Sequence, residues 1–376
     1  MSIRIPVGFK FYTLVAILIA AGSMAAVTAF GNDATPSASP STTAHHALEM
    51  TFVGDVMFGR FKESGLDRNP ESDVSAFESI EPLIAADIVT ANLETPLLKD
   101  PPARCPWPQV NIRFAAGSWA ADALQNAGFT VVSLANNHAY DMKATGLRDT
   151  REMLREREIT PVGVMGEGIE AIKVVTHTVN GWRVGFLAFT GLRNNLMLPG
   201  GPTMPYIPEY HRVAKVLQPA IEAARASHDI IVVFAHWGKA EEDIPSLGRA
   251  AAARRLINIG ADVVIGHHTH SLQGIERYKH GLIAHSLGDF LFDKVRTPSR
   301  FTGVLRVRYE PGARQPEEVR FHPVLISRRL TSIRPHPATG MAAANIFARL
   351  RRLSALFHTR WRHDENDTFT MQPDMQ

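Results

Sequence analysis

Short apolar runs alternate with longer amphipathic stretches from residue 48 onwards. Apolar runs of about four to eight residues are typical of buried strands. They predict strands over 48–54, 87–91, 129–134, 172–179, 182–189, 229–235, 262–266, 273–278, 282–287, 303–310 and 317–326. Apolar positions at helical spacing predict helices over 76–86, 117–127, 144–157, 210–226 and 247–259. Strands that alternate with helices in this way indicate a mixed α/β layered sandwich.

Local turn signals fit this arrangement. Asn180 and Gly181 lie between two alternating runs and predict a tight hairpin turn. Gly260 follows the last apolar residue of the 247–259 helix and is placed to end it. The segment 193–210 contains several prolines and glycines and predicts a long loop, which is either a lid over a site or a plain connection.

An uncharged apolar run over 11–30 follows Arg4 and Lys10. Its length suffices to span a bilayer as a helix, and the preceding cations favour a cytoplasmic N-terminus. Small residues near its end also suit a signal peptidase. We therefore expect residues 1–30 to be a signal peptide or an uncleaved signal anchor, and the length favours the anchor.

Residues 31–47 are rich in Ser, Thr, Pro and Ala and predict a disordered linker. The remainder of the chain is therefore expected to be exported. It would be anchored to the cell membrane and face the periplasm or the outside, or be secreted to the periplasm if the signal is cleaved.

Composition narrows the classes of function. The 376-residue chain is 45% hydrophobic and 20% charged, which is ordinary for a globular protein. Its net charge is only +3, which gives no support to a general nucleic-acid-binding role. The single cysteine, Cys105, excludes an internal disulfide and a thiolate zinc cluster.

Polar residues follow five of the predicted strands at their carboxyl ends. Each end taken alone also fits a turn, a solvated loop or a packed histidine. In α/β sheets this edge is where ligands bind, so the five ends together predict one shared site. The residues at these ends are Asp55, Glu94, Asn136, Asn137, His138, Asp141, His236, His267, His268 and His270.

The predicted site offers carboxylate, amide and imidazole donors and no sulfur. That set suits divalent Mn, Fe or Zn in mixed nitrogen and oxygen coordination. Side chains alternate in an extended segment, so His268 and His270 share one face and His267 takes a supporting role. We predict divalent ions held by His268 and His270. The carboxylates of Asp55 and Glu94 would offset the charge of the ions, and Asn137 can offer a neutral carbonyl oxygen.

Two divalent ions make hydroxide available near neutral pH and clamp the oxygens of an ester. His138, beside Asn137, is placed to polarise a substrate oxygen or to protonate a leaving group. Asp141 follows at the same strand end and is predicted as a catalytic residue with His138. Arg60 is a candidate contact for a phosphate or polyanion, and it equally fits an ordinary surface arginine.

Six ordered motifs resemble the bacterial capsule synthesis proteins of the CapA type: TFVGDVMFGR, NLETPL, LANNHAYD, AHWGKAEE, GADVVIGHHTHSLQ and SLGDFLFD. The resemblance covers about residues 48–326. It implies a fold similar to the calcineurin-like metallophosphoesterases, a four-layer αββα sandwich with a dinuclear metal centre. The metal-site positions that it implies are Asp55, Glu94, Asn137, His236, His268 and His270, with His138 as the acid-like residue. It also implies a role in poly-γ-glutamate capsule production, with an anionic cell-surface polymer or precursor and membrane synthase subunits as partners.

The chain departs from these family patterns in four places. Met57 stands where the wider phosphoesterase pattern has histidine, and Asn-Leu-Glu replaces Gly-Asp in the second motif. Thr269 and Asp289 stand where the capsule family usually has proline and asparagine. A thioether is a poor ligand for a hard cation, so we expect one metal position to be weak, or completed by Glu241 or another group.

Two functions stay open at this point. The first is a metal-dependent hydrolase, phosphoesterase-like or amide-transferring, in capsule polymer synthesis or release. The second is a non-catalytic subunit that binds the polymer or scaffolds a membrane polymer synthase, with the metal purely structural. A cell-wall amidase or a nucleotidase is a third, less supported interpretation.

We predict one domain over 48–330, followed by a C-terminal amphipathic helix and tail over 331–376. The helix places apolar residues on one face and arginines on much of the rest, which fits packing on its own domain or lying on anionic lipid. The final residues, 364–376, are expected to be disordered. The predicted apolar face consists of Ile346, Leu350, Leu353, Phe357 and Trp361.

Overall fold

Two large β-sheets with flanking α-helices form the fold in the computed structural model, which describes residues 46–68, 76–106, 112–167, 172–195, 201–329, 332–364 and 366–373. The strands are β1 Leu48–Val56, β2 Gly59–Lys62, β3 Gly65–Arg68, β4 Ile88–Leu93, β5 Val131–Ser133, β6 Thr160–Val162, β7 Met165–Glu167, β8 Val175–Val179, β9 Trp182–Thr190, β10 Pro202–Thr203, β11 Ile230–His236, β12 Val263–His267, β13 Ile275–Tyr278, β14 Gly281–Ala284, β15 Asp289–Leu291, β16 Phe301–Tyr309, β17 Glu318–Arg329, β18 Ser332–Pro337, β19 Trp361–His363 and β20 Phe369–Met371. The helices are α1 Glu81–Ile84, α2 Trp119–Asn126, α3 Lys143–Glu156, α4 Tyr210–Arg225, α5 Leu247–Asn258 and α6 Gly340–Ala355, and a 3₁₀ helix, Glu78–Ile80, precedes α1.

The larger sheet has the strand order β19-β20-β17-β16-β1-β4-β5-β6, with β15 beside β1 and β18 beside β17. The smaller sheet has the order β13-β14-β12-β11-β9-β8. Strands β1, β4, β5 and β6 run parallel to one another, as do β9, β11, β12 and β14. In each sheet, therefore, the carboxyl ends of the parallel strands meet at one edge.

Alternate residues of the central strand β11 face different layers. Val232 and Phe234 belong to the core shared with the larger sheet, whereas Ile231 and Val233 pack with α4 and α5. A strand buried on both faces needs a continuous apolar run, which is what the sequence shows here. Helices α2 and α3 pack into the core of the larger sheet. The predicted four-layer αββα sandwich is confirmed.

Each of the predicted strands is present, with ends shifted by a few residues. The predicted hairpin is confirmed, since Asn180 and Gly181 adopt φ values of 50° and 85° between β8 and β9. The helix predicted over 76–86 is wrong in its extent, because only a 3₁₀ turn and the one-turn α1 form there. The unpredicted strands are mostly two to four residues long, too short to leave a periodic signal.

The C-terminal segment packs on the fold. Helix α6 buries Ile346, Leu350 and Leu353, so packing on the chain's own domain is confirmed. The helix ends before Phe357, and Trp361 lies in β19, which corrects the predicted extent of the apolar face. The tail expected to be disordered contains β20, which pairs with β17, so that expectation is wrong for these residues.

No helix within the described ranges is both long and apolar enough to cross a bilayer. Residues 1–45 lie outside the described residues. They hold the predicted signal or anchor and most of the predicted linker, so both stay predictions.

A short segment over 285–288 leads from β14 of the smaller sheet to β15 of the larger one, along the carboxyl edge. It lies against Gly54 and Gly266. A Cβ atom on either glycine would sit 2.0 Å from a backbone oxygen of this segment, on Gly288 and His285 respectively. Glycine is therefore required at both positions, which explains why it precedes Asp55 in β1 and His267 in β12.

Candidate metal centre

The registers of both sheets gather polar side chains at the carboxyl edge. Asp55 of β1 has Asn92 of β4 and Asp289 of β15 as its register neighbours. In the smaller sheet His236 of β11 lies beside His267 of β12. All five residues are at most 1% exposed. Buried polar groups need partners, so the contacts inside this cluster determine what it can do.

Asp55 is the best-connected carboxylate of the cluster. It accepts hydrogen bonds from Asn92 Nδ2 at 2.9 Å and from the backbone N–H of His268 at 3.0 Å. His267 Nδ1 lies 2.9 Å from Asp55 Oδ1. Burial raises the pKa of Asp55, but the contact with His267 and the charges of the neighbouring histidines together outweigh it, and the net pKa falls below its ordinary value. Asp55 is therefore ionised.

Glu94, directly after β4, differs from Asp55 in its hydrogen bonding and in the direction of its pKa shift. Its carboxylate is fully buried, and neither oxygen has a hydrogen-bond partner among the described residues. Burial, reinforced by the charges of Asp55 and Asp289, raises the pKa of Glu94 well above its ordinary value. Keeping a buried carboxylate ionised without hydrogen-bond donors costs free energy on the order of several kcal/mol. A bound cation would remove that penalty.

Glu94 forms one possible ligand group with Asp55 and His236, whose ligand atoms all lie within 4.8 Å of one another. Asn137 and His268 join this group through His236: Asn137 Oδ1 lies 2.7 Å and His268 Nδ1 3.2 Å from its Nε2 atom. Burial, with repulsion from neighbouring histidines, lowers the pKa of His236 and lowers that of His268 to about 4. Both imidazoles are thus neutral near pH 7, the form that binds metals.

A second possible group consists of Asp55, His270 and Asp289, again with ligand atoms within 4.8 Å of one another. His270 Nδ1 lies 2.6 Å from Asp289 Oδ1 and 4.0 Å from Asp55 Oδ2. Burial lowers the pKa of His270, but the adjacent Asp289 carboxylate outweighs it and the net pKa is raised. Asp289 was not among the predicted ligands, because it begins the short strand β15 instead of following a strand, so the pattern that selected the others did not apply to it.

The backbone turns sharply at the histidine segment. Strand β12 ends at His267, and His268 and His270 have positive φ values of 85° and 52°. The assumption of an extended segment is therefore wrong beyond His267. The two side chains reach the cluster because the chain turns there, in a backbone region that non-glycine residues rarely occupy.

The predicted catalytic pair His138 and Asp141 lies next to the cluster. His138 Nδ1 is 2.7 Å from Asp141 Oδ2. That oxygen also accepts from the backbone N–H of Phe114 at 2.8 Å, and Asn195 Nδ2 donates to the other oxygen at 2.9 Å. The His138 ring stacks on Phe114 with centroids 3.9 Å apart. Asp141 thereby holds one ring nitrogen while the stacking fixes the plane of the ring.

The start of the predicted loop 193–210 contacts this pair. Asn194 Nδ2 lies 3.3 Å from His138 Nε2, and the backbone N–H of Asn194 donates to Asn137 O at 3.3 Å. Residues 196–200 lie outside the described residues. The described part of the loop borders the site, as a segment that shapes a site would.

The other residues discussed from the sequence motifs, Arg60, Met57 and Glu241, each have different neighbours. Arg60 pairs with Asp293, and its guanidinium carbon lies 5.4 Å from the centroid of the Phe114 ring. Its contact with a phosphate or polyanion stays a prediction. Met57 is buried in an apolar cluster with Phe114 and Phe292. Glu241 is instead half exposed and pairs with Lys294 and Arg296.

Residues 49–294 match the family model described as bacterial capsule synthesis protein PGA_cap. The chain is 34% identical over 266 residues to the capsule biosynthesis protein CapA of Bacillus anthracis, covering 69% of this chain and 63% of that protein. It is 30% identical over 272 residues to the PGA biosynthesis protein CapA of Bacillus subtilis strain 168, covering 70% and 68%. The match thus spans less than two thirds of the B. anthracis protein.

Among solved structures, the 5'-nucleotidase from Candida albicans SC5314 aligns with a TM-score of 0.44 at 10% sequence identity, covering 83% of this chain and 58% of that one. That likeness is weak. The sheets, registers and helices of the chain itself define its fold.

Proposed function

We propose that this chain, which belongs to the bacterial capsule synthesis protein PGA_cap family, acts as a metal-dependent hydrolase-type enzyme in the synthesis or release of a capsule polymer such as poly-γ-glutamate. The observation that carries the catalytic part is Glu94. Its carboxylate is fully buried, has no hydrogen-bond partner among the described residues, and faces an ionised aspartate and a neutral histidine, which supports a bound cation at this point.

The residues that would hold the metal are the predicted six: Asp55, Glu94, Asn137, His236, His268 and His270. Their carboxylate, amide and imidazole atoms suit Mn, Fe or Zn. When bound, such ions supply a Lewis acid that polarises the scissile group and lowers the pKa of water to about 7.

The remaining chemistry belongs to the chain's own side chains. Because the Nδ1–H of His138 donates to Asp141, the Nε2 atom, which Asn194 Nδ2 approaches at 3.3 Å, is the one that would exchange a proton with a leaving group. Phe114 and Asn195 donate to Asp141, keeping it an acceptor and so fixing this tautomer. His138 is the proposed general acid, and Asp141 its positioning residue.

The proposed substrate is the anionic polymer or its precursor, cleaved at a phosphoester or at an amide bond. A transfer reaction would use an amine in place of water. The names of the two Bacillus relatives support the polymer. Membrane synthase subunits are proposed as partners on the family resemblance of the sequence motifs.

The test uses the full chain loaded with Mn²⁺ and offered a phosphodiester and a γ-glutamyl amide. We expect turnover of one of them. Asp55→Asn should reduce it by about 100-fold or more, since even changes around metal ligands cost about 10- to 100-fold. Asp87→Asn, at the opposite end of the neighbouring strand β4, is the matched control and should retain turnover.

The scaffold alternative makes a different prediction in cells. Wild-type polymer yield from a producing strain that carries only Asp55→Asn would overturn the enzymatic proposal and favour a non-catalytic subunit. Loss of polymer with retained folding, measured by circular dichroism, supports catalysis.

Export is part of the proposal. The apolar run over 11–30 behind Arg4 and Lys10 supports a signal or anchor that delivers the site to the outer side of the cell membrane. A reporter enzyme active only outside the cytoplasm, fused after residue 47, should be active. An inactive fusion would contradict export.

A further inference from the structure

We propose that Asp289 is a metal ligand and that, with Asp55 and His270, it holds the second of two divalent cations at this edge. The inference rests on the metal centre proposed above and assigns one ligand that the sequence motifs did not supply. It also identifies which group completes the position that Met57 leaves without an imidazole.

The backbone brings Asp289 to this place. Strand β15 pairs in parallel with β1, and Asp289 stands directly beside Asp55 in the register. The pairing is fixed by hydrogen bonds on both sides of Asp55: its N–H donates to Gly288 O at 2.9 Å, and the N–H of Met57 donates to Leu291 O at 2.7 Å. The two carboxylates are thus neighbours by strand register and not by chance side-chain rotation.

The side chain of Asp289 is only half satisfied. Its Oδ1 atom meets His270 Nδ1 at 2.6 Å, whereas Oδ2 is buried with no hydrogen-bond partner among the described residues. The side chain has no exposed surface. Two carboxylates facing one imidazole leave a negative charge even if the imidazole is protonated, and a divalent cation would neutralise it.

Met57 does not compete for this position. Its side chain packs with Phe114 and Phe292, and the Phe292 ring lies 4.8 Å from the His270 ring, centroid to centroid. Met57 and Phe292 therefore form an apolar surface next to the second ligand group. The Phe292 ring packs against the His270 ring, and Asp289 contributes a carboxylate to the group.

Asp55 belongs to both ligand groups. A carboxylate shared in this way lets two ions sit within the roughly 3.5–4 Å that two-metal sites use. Losing Asp289 should therefore empty or weaken one position and leave the group of Asp55, Glu94 and His236 able to bind.

The experiment titrates metal-free full-length protein with Mn²⁺, by calorimetry and by elemental analysis after gel filtration. Wild type should bind two ions, and their paramagnetic resonance spectrum should show magnetic coupling between them. Asp289→Asn, of equal size, should bind one ion with the spectrum of isolated Mn²⁺, or bind the second at least about 10-fold more weakly. His270→Gln removes the other ligand of the same group and should behave alike.

Asp293→Asn is the matched control, because it removes an equal charge four residues further on, where the side chain pairs with Arg60. It should keep two coupled ions. Two equally tight ions in Asp289→Asn would overturn the inference. One ion in wild type would also overturn it while leaving the proposed function standing, and no ion in wild type would overturn both.

Discussion

Buried aspartates at the amino edge of the smaller sheet and carboxylates at the carboxyl edge meet very different surroundings. Asp262 directly precedes β12 and has no exposed surface. It accepts from the backbone N–H of Ile231 at 2.7 Å, from Arg314 Nε at 3.0 Å, and from Arg225. At the other end of the same sandwich Glu94 is equally buried and meets no donor among the described residues.

The difference shows that burial alone does not distinguish a structural carboxylate from a ligand. Among the described residues, a lack of donors singles out Glu94 and one oxygen of Asp289, whereas Asp55 accepts hydrogen bonds and still belongs to both ligand groups. Asp87 and Asp229 follow the amino-edge pattern, since they accept from the backbone N–H groups of Glu49 at 2.8 Å and Arg183 at 2.7 Å. These aspartates tie neighbouring strands together, whereas the carboxyl edge keeps acceptors free for an ion.

The largest expected effect breaks the saturated edge. Asp262→Asn leaves Arg225 and Arg314 without their carboxylate, and we expect the free energy of unfolding to fall by about 3 kcal/mol. This is the lower end for a broken buried pair, because the arginine side chains are 23% and 44% exposed. Urea denaturation measures the change. Metal content of the folded variant should equal that of wild type, and metal loss without destabilisation would reverse the assignment of the two edges.

An exposed member of the same edge provides the control. Asp229→Asn removes a carboxylate that accepts one backbone hydrogen bond at the surface. The unfolding free energy should change by no more than about 1 kcal/mol.

A smaller effect is expected at the unsaturated edge. Burial already disfavours the charged form of Glu94 by raising its pKa, so metal-free Glu94→Gln should differ in stability from metal-free wild type by no more than about 1 kcal/mol. Added Mn²⁺ should stabilise wild type strongly and the variant little, as thermal melts with and without the ion would show. A metal-free variant less stable than wild type by more than this would mean that Glu94 has a structural partner after all.

The last expected effect concerns pH and lies outside both edges. Burial, with the positive charges of Arg306 and Arg320, lowers the pKa of His322 to about 4. Its unfolded value is about 6.5, so the folded state resists protonation. Stability is complete above about pH 6.5 and is lost as the pH falls towards 4. His322→Gln should reduce the dependence of the unfolding free energy on pH between about 6.5 and 4. The acid dependence that remains would come from the carboxylates at the two edges. An unchanged pH dependence would contradict the lowered pKa of His322.

Much of the fold and of the candidate site could be predicted from the sequence for one physical reason. Apolar runs long enough to be recognised as strands end at Asp55, Glu94 and His236, and parallel pairing brings such ends to one edge. The contact between His138 and Asp141 is also local, within a turn that follows β5.

The remaining features of the fold and of the site depend mainly on pairing between strands that are far apart in the sequence. Asp289 begins a three-residue strand whose partner, β1, lies more than two hundred residues earlier, and no local pattern reveals that register. Strand β20 likewise pairs with β17, although at three residues it is too short to show a periodic pattern. The orientation of His268 required the turn geometry, which alternation along an extended chain could not supply.

The turn at His268 and His270 determines which substitutions we expect if the site loses its function. Histidine at 268 and 270 is held at backbone angles that glycine or asparagine adopts with less strain. Selection for an ion is one reason to retain imidazoles against that preference. In a descendant freed from this demand, mutation should drift both positions towards glycine or asparagine, and the pair of replacements would mark a vestigial site on an intact scaffold.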